Sequence, residues 1–441
     1  MKHATVHIEK MAFGGSGLGH VNGKVCFVPF SAPGDTVRIT VTSEKHSYLQ
    51  GEIAEVLGDS PERVPPPCQA FGACGGCNWQ HLAYPAQLEE KRRIFAELMW
   101  RSGRVDASRI LPVTEAPEPY GYRARVQLKV RSVAGELHVG FYRGGTHYVV
   151  DVPGTCVIST ATINGLLPEL TRLLRLFPEP DKIPQIDITC CDSGSAVVNF
   201  HYIGDNLEEV SGFLQANRAL LCSVSGVSIQ SGRKTTLRQI DGRGPLSYTL
   251  SLGNREFGMT FTPGGFSQVN YRQNRTLVAT VLEWATLSGE EKILDLFCGN
   301  GNFSIPLADR CASVLGLEEY PSSIADAVRN SEINKITNAE YRCTDAVEGL
   351  KELAEAEAMF DVVILDPPRT GAADIVRLIP SLKPGKILYV SCDPPTLARD
   401  VGILRKSGYD VVKSLPVDMF PQTYHIESVT LLEPSPVGII P

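Results

Sequence analysis

Short apolar runs fill the opening segment of the chain: Thr5 to Ile8, Lys24 to Pro29, Thr36 to Thr42 and Ile53 to Val56, parted by glycine-rich turns such as Gly14-Gly15-Ser16-Gly17. Runs that short at that spacing predict a small OB-like β-barrel. The stretch Ser60-Pro61-Glu62-Arg63-Val64-Pro65-Pro66-Pro67 extends neither a ladder nor a helix, because proline lacks the amide donor and fixes φ, so a domain ends near Pro61. From Tyr84 to Trp100 apolar residues recur with a helical period at Leu88, Ile94, Phe95 and Leu98. Pro112 to Gly264 reads mostly as strands with one helical segment, Ile163 to Leu176, and predicts an α+β domain. From about Phe266 onward strands and helices alternate, as in a doubly wound parallel α/β sheet. The expected organisation is a multidomain chain divided as 1–61, 62–264 and 265–441, with the helix near 84–102 docked on the last domain.

Composition narrows the class. A chain of 441 residues, 43% hydrophobic, has material for about three cores at roughly 150 residues each. The start, MKHATVHIEK, lacks the apolar run of a signal peptide, and no stretch approaches the roughly 18 apolar residues of a membrane helix, so a soluble cytoplasmic protein is expected. Twelve cysteines are too sparse for a disulfide scaffold and are open to roles in cores, metal sites or catalysis. The net charge of −7 argues against a blanket of positive charge, although a local basic face still suits nucleic acid. Such a face exists. Arg123-Ala124-Arg125-Val126-Gln127-Leu128-Lys129-Val130-Arg131 alternates throughout, so one side of a strand would present Arg123, Arg125, Gln127, Lys129 and Arg131, with Tyr120, Tyr122, Phe141, Tyr142 and Arg143 near enough to stack on unpaired bases.

Candidate chemistry gathers in the last third. Lys292 to Phe297 reads as a buried strand running into Cys298-Gly299-Asn300-Gly301-Asn302-Phe303, whose glycines permit a tight turn beside a ligand. Later strands end at Glu318, Asp366 and Cys392, each polar residue at the carboxyl edge where open parallel sheets bind ligands. An acid ending the second strand suits ribose hydroxyls in nicotinamide and S-adenosylmethionine sites alike; the rigid turn Asp366-Pro367-Pro368-Arg369 favours the methyl donor. Carbon 5 of uracil is a poor nucleophile, and methylating it requires a thiolate to add first at carbon 6; Cys392, at a strand end facing the donor, meets that need. An ordinary thiol, with a pKa of about 8.5, needs help to ionise, for which Arg399 is the candidate cation, while Asp393 opposes it. A general base must then take the carbon 5 proton, and Glu427 and His425 in Met419-Phe420-Pro421-Gln422-Thr423-Tyr424-His425-Ile426-Glu427 both offer themselves.

Cys68, Cys74 and Cys77 form a C-x5-C-x2-C run with glycines between. Three close cysteines with a distant fourth suit an iron–sulfur cluster, whereas zinc more often takes two separated pairs; Cys156, Cys190, Cys191 and Cys222 are candidates for the fourth ligand, Cys156 following the turn Pro153-Gly154.

In order along the chain, FSQVNYRQN (266–274), DLFCGNGNF (295–303), DPPRTG (366–371), YVSCDPPTLARD (389–400) and MFPQTYHIES (419–428) resemble the motifs of RNA uracil-5-methyltransferases acting on ribosomal and transfer RNA. The resemblance implies Cys392 as nucleophile, Glu427 as base, and Gln268, Phe297, Asn302, Glu318, Asp345 and Asp366 around S-adenosylmethionine. It also implies a [4Fe-4S] cluster on Cys68, Cys74, Cys77 and Cys156, and the opening segment resembles a TRAM domain, an RNA-binding barrel. Two positions depart from the family: Asp393 stands where asparagine is usual, and Asp345 where asparagine is also seen. The expected partner is RNA, ribosomal in preference to transfer RNA. Rival expectations are a cytosine-5 methyltransferase, which shares the thiolate addition, and a non-catalytic iron–sulfur RNA-binding sensor, which would have no use for Cys392 and Glu427.

Overall fold

The alternating runs of the opening segment become β1 (His3–Met11), β2 (Gly17–Val21), β3 (Lys24–Val28), β4 (Thr36–Glu44) and β5 (Tyr48–Gly58), closed into a barrel in the order β1-β2-β3-β5-β4. Val6, Ile8, Cys26, Val28, Val37, Ile39 and Leu49 point inward and form its core. The computed structural model describes residues 2–152, 154–232, 237–242, 246–265 and 267–435; Pro153 and Phe266, parts of two sequence motifs above, lie outside the described residues. After the barrel, the cysteine segment runs as turns, and its Trp79 and Leu82 are buried with the core of the C-terminal sheet. The helix α1 (Tyr84–Gly103) follows, with proline in its first turn, where the missing amide costs nothing.

The middle of the chain holds β6 (Arg125–Val133), β7 (Glu136–Tyr142), β8 (Val149–Asp151), α2 (Ala161–Leu176), β9 (Gln185–Cys190), β10 (Ala196–Tyr202), α3 (Leu207–Ala216), β11 (Gly226–Ser231) and β12 (Leu237–Gly242). The strands form a seven-stranded sheet in the order β12-β11-β10-β9-β6-β7-β8. The expectation of one helix here is corrected to two. β10 and β11 run parallel, parallel neighbours need a crossover, and α3 supplies it.

A hairpin of β13 (Leu246–Leu252) and β14 (Arg255–Phe261) and the helix α4 (Tyr271–Ala285) lead into β15 (Lys292–Leu296), α5 (Ser304–Ala308), β16 (Ser313–Glu318), α6 (Pro321–Asn334), β17 (Ala339–Cys343), α7 (Ala346–Glu355), β18 (Val362–Leu365), α8 (Ala373–Leu378), β19 (Lys386–Ser391), α9 (Pro394–Lys406), β20 (Tyr409–Val417) and β21 (Glu427–Pro434). The sheet order is β17-β16-β15-β18-β19-β21-β20, parallel through β19, with β21 antiparallel to both its neighbours. Strand order reverses at β15, which opens a ligand crevice at the carboxyl edge. The hairpin precedes the boundary expected at 264/265 yet is bonded to α6: Asp326, Asn330 and Asn334 accept the N–H groups of Thr262, Thr260 and Gly258 at 2.7, 2.8 and 2.9 Å. α1 lies against α9, where a Cβ added to Gly103 would stand 3.2 Å from the carbonyl of Ala398. Among the described residues no helix is long and apolar enough to cross a membrane.

Candidate active site

β15 gives way at Phe297, whose φ of 63° lies in the left-handed region that bulky residues avoid. Gly301 follows at 86°, and a Cβ there would stand 2.9 Å from Ile305. This turn bounds a cleft lined by Tyr248, Gln268, Phe297, Asn302 and Asp366, which brings together expected cofactor residues from separate segments. Glu318 and Asp345 are not part of that lining, although Glu318 is hydrogen-bonded to Gly299, which is. Glu318 accepts the N–H of Gly299 at 3.1 Å and of Tyr320 at 3.0 Å. One oxygen of Asp345 caps α7, accepting from Val347 and Glu348 at 2.9 and 3.2 Å. Asn302 exchanges two hydrogen bonds with Asn274, at 2.8 and 2.9 Å, and accepts the Tyr248 hydroxyl at 3.1 Å, so its amide braces the glycine turn against α4 and β13.

Sequence reasoning gave Asp295 no role, yet it sits fully buried under this turn with one carboxylate oxygen on the Ser304 hydroxyl and the other without a hydrogen-bond partner among the described residues. Burial, with Asp366 and Glu318 nearby, pushes its pKa up to about 7, and burial raises Asp366 to about 7 as well. Unpaired buried acidity of this kind suits a cationic ligand.

β19 and β21 pair antiparallel with Ser391 opposite Ser428, so the next pair toward the carboxyl edge of β19 sets Cys392 against Glu427. Both face the DPPR turn. Burial pushes the Cys392 thiol up to about 12, reinforced by Glu427 and Asp366, opposed by Arg369, and raised again by Asp393. Glu427 is buried, and burial with Asp366 holds its pKa well above the usual range while Arg369 opposes. The cation at this site is therefore Arg369, not Arg399, which instead donates to Asp400 at 2.8 Å and to the carbonyl of Thr370 at 3.0 Å. The sequence hint lay in the DPPR turn itself, whose last residue faces the same crevice. Asp393 caps α9, accepting the Thr396 N–H at 3.0 Å, a bond that asparagine would make equally well. His425 packs against the rings of Tyr424 and Phe420, and burial first, then Arg369, Lys91 and Arg123, lower its pKa to about 4. An imidazole held that weakly basic is a poor proton acceptor beside Glu427.

Cys68, Cys74, Cys77 and Cys156 line one cavity of about 400 Å³. Of the alternatives, Cys190 and Cys191 are buried in the central core, and Cys222 is exposed beside Glu169. Burial raises the thiols of Cys74 and Cys77, the latter to about 12, and the neighbouring cysteines raise both further. Among the described residues no three cysteine, histidine or acidic side chains group tightly enough for a single metal ion.

β6 alternates as expected, with Val126, Leu128 and Val130 buried beneath Arg125, Gln127, Lys129 and Arg131. Arg123 lies just outside the strand, bridged to Ser159. Arg125, Gln127 and Lys129 open onto the cysteine cavity, and the Lys129 ammonium stands 5.2 Å from the Tyr142 ring. Tyr122 is corrected from base stacking to structure: it is buried and donates its hydroxyl to the carbonyl of Pro421 at 3.0 Å.

The geometry has close counterparts among known proteins. The model of the tRNA (Uracil-5-)-methyltransferase family matches residues 83–435, and that of the TRAM domain matches 2–54. The 23S rRNA (uracil(1939)-C(5))-methyltransferase RlmD of Vibrio vulnificus is 34% identical over 98% of this chain and 96% of its own. The protein of the same name from Aromatoleum aromaticum is 35% identical over 97% and 98%. Among solved structures, the Pyrococcus abyssi tRNA (uracil-54, C5)-methyltransferase in complex with S-adenosyl-L-homocysteine superposes with a TM-score of 0.73 at 27% identity, covering 97% of this chain and 99% of that one.

Proposed function

Since this chain belongs to the tRNA (uracil-5-)-methyltransferase family, we infer that it transfers the methyl group of S-adenosylmethionine to carbon 5 of a uracil in RNA, and that the RNA is 23S ribosomal RNA, as the names of its full-length relatives say of them. The observation that carries the reading is the strand register that sets Cys392 against Glu427 beside the acidic cleft.

The donor supplies an electrophilic methyl on a sulfonium. Gln268, Phe297, Asp366 and Glu318 would hold it, with Asp345 and Asn302 fixing the surrounding turns; Asp295 places a buried carboxyl beneath, whose ionised form a bound sulfonium would favour. Cys392, ionised against Arg369, adds through sulfur to carbon 6 of the uracil and leaves an enolate that is nucleophilic at carbon 5. Carbon 5 takes the methyl group as its bond to the donor sulfur breaks, and the electron pair of that bond stays on the sulfur of the departing S-adenosylhomocysteine. Glu427 removes the carbon 5 proton, the carbon 5–carbon 6 double bond re-forms, and the Cys392 thiolate departs. Burial raises both groups, and Arg369 opposes the shift in each, so it is the cation that favours their ionised forms.

The four-thiol cavity suits a [4Fe-4S] cluster on Cys68, Cys74, Cys77 and Cys156. A cluster brings its own sulfides and spreads its ligands, whereas a single zinc draws each sulfur to about 2.3 Å. Bound there, it would cross-link the 68–77 loop to the segment at Cys156, under the basic face of β6 that we assign to RNA phosphates. Work on ribosomal RNA and an oxygen-sensitive centre both fit a cytoplasmic setting.

The test is nucleoside analysis after incubating the protein with unmodified 23S rRNA transcript, with unmodified tRNA, and with labelled donor. Label in 5-methyluridine from the ribosomal transcript is expected. Label in 5-methylcytidine, or in tRNA alone, would overturn the base or the RNA assignment respectively.

A further inference from the structure

The loop between β20 and β21 delivers Glu427 as the first residue of its strand, and it is held by groups borrowed from distant parts of the chain. Lys91 of α1 and Asp418 form a fully buried ion pair at 2.5 Å, and Lys91 also donates to the carbonyl of Phe420 at 3.1 Å. Gln422 sits at the middle with φ at 68°, a conformation that persists in a bulky residue only where the surroundings over-determine it. They do so here. Its N–H donates to the Gln87 side-chain oxygen at 3.0 Å, and its side-chain oxygen accepts from the Gln87 amide nitrogen at 3.0 Å. Its carbonyl accepts the N–H groups of both Asn78 and Trp79 at 3.0 Å.

Gln87 reaches further. The two hydrogens of its amide nitrogen are shared among three acceptors, the Gln422 side-chain oxygen and the carbonyls of Trp79 and Leu82 at 3.0 and 2.9 Å, and the Trp79 indole donates to the carbonyl of Gly15 in the barrel at 3.0 Å. Gly15, at φ 95°, lies so close to Tyr424 that a Cβ would stand 2.9 Å from its ring. One buried glutamine thus ties α1 and the cysteine loop to the catalytic loop, and through Trp79 to the barrel. Asn78 and Trp79 directly follow Cys77, so whatever fixes Cys77 also fixes the two amides on Gln422. Cys392 shares the β19–β21 ladder with Glu427 but has further supports that the Gln87 network does not touch: the pairing of β19 with β18 and the Asp393 cap of α9.

Resting on the reading above, we infer that Gln87 is a positioning residue: by holding Gln422 in its left-handed turn it sets Glu427 against carbon 5, and so governs proton removal rather than methyl transfer. A group that acts only by keeping the chain folded would slow both steps together.

A single-turnover reaction on unmodified 23S rRNA transcript separates them, with methyl incorporation and denaturant-stable protein–RNA adduct followed on the same samples. For Gln87→Ala, methyl transfer should stay within about threefold of wild type while adduct decay slows by about tenfold or more. Should that variant not fold, the double variant Lys91→Met with Asp418→Leu, which replaces the buried pair by apolar groups of similar size, should give the same split. Equal losses in both steps, or normal release from a folded variant, would overturn the assignment. Wild type that forms no 5-methyluridine would instead overturn the functional reading itself.

Discussion

Asp295 and Asp366 are raised to about 7 from an ordinary value of 3.8, and the direction has a consequence for stability. The folded protein keeps protons there that the unfolded chain gives up, so stability falls as pH rises from about 4 through about 7. For the fully buried Asp295 the cost is on the order of a few kcal/mol at most. Thermal melts of the ligand-free protein should therefore lose stability between pH 5 and pH 8. Asp295→Asn, which keeps the shape and the Ser304 contact without titrating, should flatten part of that slope. S-adenosylmethionine should stabilise wild type more at pH 8 than at pH 5 relative to S-adenosylhomocysteine, because only the first carries the sulfonium. An unchanged slope in Asp295→Asn would mean that this carboxyl does not titrate with folding. Sequence marked Asp366 and Cys392 because each ends a strand at one sheet edge, and chose Glu427 over His425 through the family resemblance; it did not mark Asp295, because a buried acid inside an apolar strand declares itself only when its neighbours are known.

At the scale of elements, α1 is instructive. Its apolar residues predicted a helix, yet Gln87 and Lys91 fall on the same stripe as Ile94, Phe95 and Met99, and all five are buried. Polar residues on a buried face signal polar partners elsewhere, but not which ones: Asp418 and Gln422 lie near the far end of the chain. α3 stayed invisible for a related reason, since its presence is explained by the parallel pairing of β10 and β11, a long-range fact. The cysteine loop was legible in spacing, and the proposal of Cys156 over three other cysteines followed from the resemblance; the four proposed ligands line one cavity. Its occupancy is measurable. Protein purified without air should be brown and carry iron and sulfide, and Cys74→Ser should lose both together; stoichiometric zinc without sulfide in anaerobic protein would contradict the cluster.

Across the whole molecule, barrel, cysteine loop, α1 and the C-terminal sheet meet around one short loop, and the chemistry assigned to that meeting point is covalent. In the proposed mechanism the two residues at its heart act on opposite ends of one intermediate, Cys392 forming the bond to carbon 6 and Glu427 allowing it to break. The decisive measurement uses Glu427→Gln with unmodified 23S rRNA transcript and labelled donor, followed by digestion and mass analysis of any RNA-linked peptide. Glu427→Gln should give a stable adduct that carries the transferred methyl group and is joined through Cys392, and Cys392→Ala should give no adduct and no methylation. A linkage through another residue, or uridine methylation by Cys392→Ala, would contradict it.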